Sequence, residues 1–241
     1  MGEGHMTIFD NSFWVLGTDT GIGKTYVTSL LALYRQAQSK PFSVCKPVAC
    51  GTYDLMGDMI NEDVEGLKAI VTGHQTEDEI CPWLLSQPLA PWTAAQHDGV
   101  SLSAEDIAAH VKKLHHTFGM VIAEGAGGVA VPLNGSESYL DAVQRSSFPV
   151  VLVVGMKLGC INHCLLSIEA LKKRGIEIKA VILNKYIKEL PEDVYESSKR
   201  EISHHCSKIV EIPHISSYPM ALGHLEKKSQ IFDFDSFVDI D

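Results

Sequence analysis

The chain has 241 residues, 45% of them apolar and 21% charged, a globular balance that excludes disordered, collagenous and low-complexity classes. Twenty Lys and Arg face 30 Asp and Glu for a formal charge of −10. Such a surface repels a phosphate backbone or an anionic bilayer, so no nucleic-acid or membrane partner is expected.

Apolar segments alternate with amphipathic ones almost throughout, the pattern of buried parallel strands joined by crossover helices. A first strand is predicted over 13–16, followed by a glycine-rich turn and a helix over about 24–38. A second strand over 42–45 runs into a long loop, 47–61, rich in Gly and Asp, and then a helix over 63–70. Residues 73–99 hold three prolines and two tryptophans and yield no assignment. Ser103-Ala104-Glu105-Asp106 has the form of a capping box and opens a helix to about 116. Strands over 120–123 and 149–154 follow, then a helix closed by Gly175 and strands over 180–183 and 209–212. The sheet so assembled has about seven strands, mostly parallel, in one domain covering the chain. Residues 1–6 read as an expression remnant or a disordered start.

The longest dense apolar run, 150–156, is far short of the roughly 18 residues of a spanning helix. No secretory signal opens the chain. Six cysteines without any CxxC spacing suit neither a zinc site nor a disulfide framework. A reducing, cytoplasmic setting is expected.

The sharpest chemical signal is Gly17-Thr18-Asp19-Thr20-Gly21-Ile22-Gly23-Lys24-Thr25, between the first strand and the first helix. A phosphate needs converging donors, and a tight turn of backbone N–H groups at a helix start supplies them. Lys24 then reaches the β- and γ-phosphates and the Thr25 hydroxyl can ligate Mg²⁺. Thr18 stands where the usual pattern has its first glycine, so the match is not strict. A three-layer P-loop NTPase fold is expected on this motif.

Asp63, at the start of a helix, and Glu124, after Val121-Ile122-Ala123, are candidates to complete a metal site with Thr25. Asp63 alone reads first as a helix-capping aspartate. Glu124 is followed at once by Gly125-Ala126-Gly127-Gly128, which permits close backbone approach to a ligand. Lys46 ends the second strand, placed either to stabilise transferring phosphate or as an ordinary surface lysine. Lys157-Leu158-Gly159-Cys160-Ile161-Asn162-His163 is a second strand-to-helix turn, either an anion site or a plain helix start.

Four motifs in this order resemble the dethiobiotin synthetase family, over about 13–219. They are the phosphate loop, Lys46-Pro47-Val48-Ala49, Glu124-Gly125-Ala126-Gly127-Gly128, and Val154-Gly155 leading into 157–163. The resemblance implies an ATP- and Mg²⁺-dependent cyclo-ligase. Such an enzyme forms the ureido ring from 7,8-diaminononanoate and CO₂ through a carbamate and a carbamic–phosphoric anhydride.

By the same resemblance Gly21, Ile22, Gly23, Lys24 and Thr25 hold phosphates, Asn184 and Pro213 hold the base, and Thr25, Asp63 and Glu124 hold Mg²⁺. Thr20 and Lys46 take the diamine and carbamate, with Cys50, Gly127 and Gly128 beside them. Lys157, Cys160, Ile161 and Asn162 take the tail carboxylate, with Tyr195 nearby, across a homodimer interface. Cys50 replaces a common serine, Gly21 a glutamate of some members, and Met220 a polar residue. Two alternatives are a related P-loop amidoligase and a partition-type ATPase switch. Against the switch, Asp19 stands where such switches carry a second lysine.

Overall fold

The computed structural model describes residues 12–71, 75–206 and 208–214, with the backbone of 6–7 and 239–240. In chain order the first elements are β1 (Met6–Thr7), β2 (Phe13–Gly17), α1 (Lys24–Ala37), β3 (Ser43–Cys45), β4 (Val48–Cys50), β5 (Tyr53–Leu55) and β6 (Asp58–Ile60). They continue with α2 (Glu62–Ile70), α3 (Glu77–Ile80), β7 (Trp83–Leu85), α4 (Pro91–Asp98), α5 (Ala104–Phe118) and β8 (Val121–Gly128). The last are α6 (Tyr139–Ser146), β9 (Val150–Gly155), α7 (Cys160–Lys173), β10 (Ile178–Asn184), α8 (Glu192–Ser203), β11 (Ile209–Ile212) and β12 (Asp239–Ile240). None of the described helices is long and apolar enough to cross a membrane.

All six strands read from the apolar runs pair into one sheet, order β11-β10-β9-β2-β8-β3, with every pairing parallel. The sheet therefore has six strands among the described residues. Its strands show no polar alternation because helices cover both faces. Phe13 and Val15 of β2 face the layer of α1, α2 and α3, while Trp14 and Leu16 face α4 to α8. All four side chains are buried.

The helix ends follow their local chemistry. Asn61 caps α2, accepting from the N–H groups of Asp63 (3.1 Å) and Val64 (3.3 Å). Ser103 caps α5 through the Asp106 N–H at 3.0 Å, and Gly175, at φ 67°, follows the end of α7 as a C′ residue. The histidine pairs close helices, His115 and His116 in the last turn of α5 and His204 at the cap of α8. Cys160 and Cys164 share the buried face of α7.

Three expectations change. The segment 47–61 is not a plain loop: β4 pairs in parallel with β7, and β5 and β6 make an exposed hairpin turning at Met56 and Gly57. Three-residue strands are too short for a period-2 pattern to register. The unassigned stretch 73–99 contains α3, β7 and α4, the last with Pro91 in its first turn. Glu124 does not end its strand, because β8 runs on through the glycines, with Gly127 at φ 70° where the register shifts, to Gly128, which pairs with Gly17. Met220, and residues 1–5 of the expected opening remnant, lie outside the described residues.

Candidate active site

The carboxyl ends of β2, β3 and β8 face one cleft of about 990 Å³, at the upper end of the usual range for ligand pockets. This is where open parallel sheets collect their ligands. The phosphate loop leaves β2 at Gly17 and turns with Gly21 (φ 69°) and Gly23 (φ 90°) in the left-handed region, where a Cβ would be strained. Gly17 leaves room for the lysine: a Cβ there would lie 2.8 Å from Cδ of Lys24, which would have to shift. Lys24, the first residue of α1, lies over the loop and donates to the Asp19 carbonyl at 2.8 Å. Burial pushes its ammonium down to about 8, against the pull of Glu124 and with the push of Lys46.

Beside the loop, four side chains from four elements meet. Thr25 Oγ donates to Glu124 Oε1 at 2.7 Å, and Lys46 Nζ donates to the same oxygen at 2.9 Å. Lys46 also donates to Asp63 Oδ2 and reaches Thr25 Oγ at 3.5 Å. Its backbone N–H bonds the Ile80 carbonyl at 2.8 Å, which fixes the base of the side chain. Burial alone would lower the Lys46 ammonium, but the Glu124 and Asp63 carboxylates outweigh it and hold the group above the ordinary lysine range. Burial alone would likewise raise Asp63, but Lys46 holds it below the usual carboxylate value.

Glu124 is fully buried, and its Oε2 has no hydrogen-bond partner. An orphaned buried acceptor is costly. Among the described residues no group of three or more His, Cys, Asp or Glu forms a metal cage. Two carboxylates and a hydroxyl are nevertheless the donor set that Mg²⁺ accepts when phosphate oxygens and water fill its other positions. The Lys46 ammonium between the two carboxylates marks the point at which they attract a cation.

The rest of the cleft divides into two ends. At one, Asn184 donates from Nδ2 to the Ile22 carbonyl at 2.7 Å, with Pro213 and Tyr186 alongside. At the other, Cys50, Gly127, Val131 and the 88–91 stretch form a mostly apolar wall. Burial pushes the Cys50 thiol up to about 11, so it stands there protonated, a weak donor.

The chain matches the family model for an AAA domain over residues 11–232. It is 34% identical over 209 residues to the ATP-dependent dethiobiotin synthetase of Anoxybacillus flavithermus, covering 86% of this chain and 93% of that one. It is 40% identical over 176 residues to the synthetase of Bacillus velezensis, covering 72% of this chain and 73% of that one. The chain belongs to the dethiobiotin synthetase family. Its backbone is similar to that of MinD from Aquifex aeolicus, with a TM-score of 0.52 at 14% identity, covering 93% and 90% of the two chains. Chloroplast FtsY of Physcomitrella patens gives the same score at 13% identity, with 91% of this chain and 64% of that one covered. These likenesses show the fold, which is that of the P-loop NTPases.

Of the residues a dethiobiotin synthetase leads one to expect, Thr20, Gly21, Gly23, Lys24, Thr25, Lys46, Cys50, Asp63, Glu124, Gly127, Asn184 and Pro213 line the cleft. Ile22 and Gly128 lie behind it: a Cβ on Gly155 would meet Ile22 Cγ2 at 2.5 Å, and one on Gly128 the Thr18 carbonyl at 3.5 Å. Lys157 is turned elsewhere, its ammonium paired with Asp19 at 2.7 Å. Cys160 is buried in the core, so that turn can offer a ligand backbone and Asn162 rather than the thiol. Tyr195 lies on the buried face of α8, and its hydroxyl donates to Glu211 Oε2 of β11 at 2.6 Å. The 88–91 wall, Val131 and Tyr186 were not foreseen. Their only sequence trace is the density of prolines after residue 80.

Proposed function

We propose that the chain closes the ureido ring of dethiobiotin from 7,8-diaminononanoate, CO₂ and ATP, giving ADP and phosphate. One observation carries this reading: the phosphate-loop lysine, a second buried lysine and a hydroxyl–dicarboxylate set converge at a cleft with an apolar wall on its far side. One amine of the substrate takes up CO₂ as a carbamate and loses a proton. A carbamate oxygen attacks the γ-phosphorus, and the bond to the ADP oxygen breaks. The second amine then attacks the carbamoyl carbon and phosphate leaves.

No nucleophilic side chain is needed, since such transfer depends on positioning and charge stabilisation. Lys24 holds the phosphates and Lys46 faces the carbamate. Thr20 and Gly127 line the place where the two substrates meet. Asn184, with one amide N–H on the Ile22 carbonyl, offers its oxygen to an exocyclic amine of the base, with Pro213 beside it. Mg²⁺, held by Thr25, Asp63 and Glu124, supplies charge neutralisation on the phosphate oxygens. The 88–91 wall suits the methylenes of the diamine.

The tail carboxylate meets the N–H groups of the first turn of α7 that follow Cys160, whose own N–H bonds the Lys157 carbonyl. The helix there has neither a capping side chain nor an acid in its first turn. Leu158 in the turn before α7, 85% exposed, and Leu166 further along α7, 56% exposed, support a homodimer with the site at the subunit interface. The chain is read as a single P-loop domain working in the cytoplasm.

The test is mass spectrometry of the product from diamine, bicarbonate and Mg-ATP. A species matching the cyclic urea, formed together with ADP, is expected. ATP hydrolysis that ignores the diamine and yields no ring would reject the reading.

A further inference from the structure

Asp19 lies in the phosphate loop, yet it touches three parts of the site. Its Oδ1 accepts from the Thr20 N–H at 2.8 Å, its carbonyl accepts from Lys24 Nζ at 2.8 Å, and its Oδ2 accepts from Lys157 Nζ at 2.7 Å. Lys157 opens the turn into α7, where its own carbonyl accepts the Cys160 N–H at 3.0 Å. Through the backbone each is bonded to the sheet instead, the loop to β9 by Thr18 N–H on the Val153 carbonyl and the turn to β10 by Met156 N–H on the Asn184 carbonyl. Asp19 and Lys157 thus make a side-chain bridge between the element that holds phosphate and the element that begins α7. The Lys157 ammonium keeps the Asp19 carboxyl below its usual range, with His163 of α7 adding in that direction. Both side chains are partly exposed, 29% for Lys157 and 40% for Asp19. A pair in that setting adds little to fold stability, so its value is positional.

We propose that Asp19 and Lys157 are positioning residues that couple nucleotide binding at the phosphate loop to substrate binding at the turn before α7. This rests on the reading that the turn takes the tail carboxylate of the diamine. A phosphate drawn to Lys24 competes with the Asp19 carbonyl for the same ammonium, so nucleotide binding changes what holds the backbone of residue 19. The carboxylate of that residue passes the change to Lys157 and to the turn it starts. Differential contact of this kind is what coupling between two ligands requires, and the effect is reciprocal. Lys157 acts here through Asp19 and not as a ligand of the substrate.

The experiment is calorimetric titration of the full chain with a non-hydrolysable Mg-ATP analogue and with 7,8-diaminononanoate, each alone and with the other saturating. Wild type, Asp19→Asn, Lys157→Gln, the double variant and Lys157→Arg are compared, with urea midpoints confirming that each is folded. In the wild type each ligand tightens the other by about fivefold or more, the lower end of ordinary coupling. In Asp19→Asn and Lys157→Gln the factor drops alike to under about twofold, and the double variant loses nothing further, as expected for two members of one interaction. Lys157→Arg, which keeps the charge, regains more than half of the coupling on a logarithmic scale. Coupling that survives Lys157→Gln overturns the proposal. So does weakened diamine binding without nucleotide in Lys157→Gln but not in Asp19→Asn, because that marks a direct ligand. A wild type that binds both ligands without coupling overturns this inference alone. A wild type that binds no diamine overturns the functional reading beneath it.

Discussion

Lys46→Ala probes the centre of the site most directly. The substitution removes an ammonium and leaves Glu124, which has no exposed surface, with a single remaining donor, Thr25 Oγ at 2.7 Å. Stripping one partner from a buried ion pair costs about 3–5 kcal/mol, because the other charge stays desolvated and uncompensated. Asp63 adds little to this, since its side chain is 46% exposed and water takes it back. Lys24 offsets part of the loss. Lys46 pushes its ammonium down, so without Lys46 it answers more of the Glu124 charge, and the lower end of the range is expected. Taking a slope of about 3 kcal/mol per molar urea, the midpoint of unfolding falls by roughly 1 M. The double variant Lys46→Met with Glu124→Gln removes both charges of the pair and should recover much of that loss, less what the Lys24 ammonium loses with Glu124, while ring closure is lost in both. Equilibrium urea unfolding followed by fluorescence, with product formation measured in parallel, checks both halves. The reasoning fails if the single variant unfolds within about 0.2 M of wild type, or if the double variant is no more stable than the single.

Gly155→Ala places a Cβ 2.5 Å from Ile22 Cγ2 and 2.8 Å from a ring carbon of Tyr186. Overpacking at that seat should cost about 1–3 kcal/mol and weaken nucleotide binding more than diamine binding, which titration of each ligand alone would show. Asn61→Ala removes the α2 cap together with the Nδ2 bonds to the Gly51 and Cys50 carbonyls at 2.7 and 3.3 Å. A stability loss of about 1–2 kcal/mol is expected, with a raised Mg²⁺ requirement because Asp63 is placed by that cap. Thermal melts and a Mg²⁺ titration of turnover measure the two effects. Asp98 anchors the start of the 86–91 stretch by accepting from the Ser86 N–H and hydroxyl, bonds that bring its carboxyl down to about 2. A depressed carboxyl contributes stability that is present above its unfolded value near 3.8 and is lost as pH falls through about 2. Asp98→Asn should therefore be less stable than wild type at neutral pH and converge with it in acid, as melts over that range would show.

Local spacing along the chain carries a good part of this protein. Six apolar runs mark the six strands, because strands covered on both faces read as continuous Val, Ile and Leu. Gly21, Gly23, Lys24 and Thr25 mark the phosphate loop, because left-handed turn geometry and donor placement are settled within nine residues. Those requirements are steric and short-range, so the order of residues states them. The meeting of Thr25, Lys46, Asp63 and Glu124 is of another kind. Lys46 and Glu124 are separated by 78 residues and Thr25 and Glu124 by 99, and only the alignment of β2, β3 and β8 brings them to one cleft. The two small sheets of 47–85, the wall at 88–91, the burial of Tyr195 and the turning of Lys157 onto Asp19 likewise leave little local pattern. Each depends on which distant surface a segment packs against, and that choice is made by the burial of the whole core. Sequence determined the chemistry available at each strand end. The tertiary structure decided which of those groups face one another, because contact and desolvation belong to pairs that the chain keeps far apart until it folds.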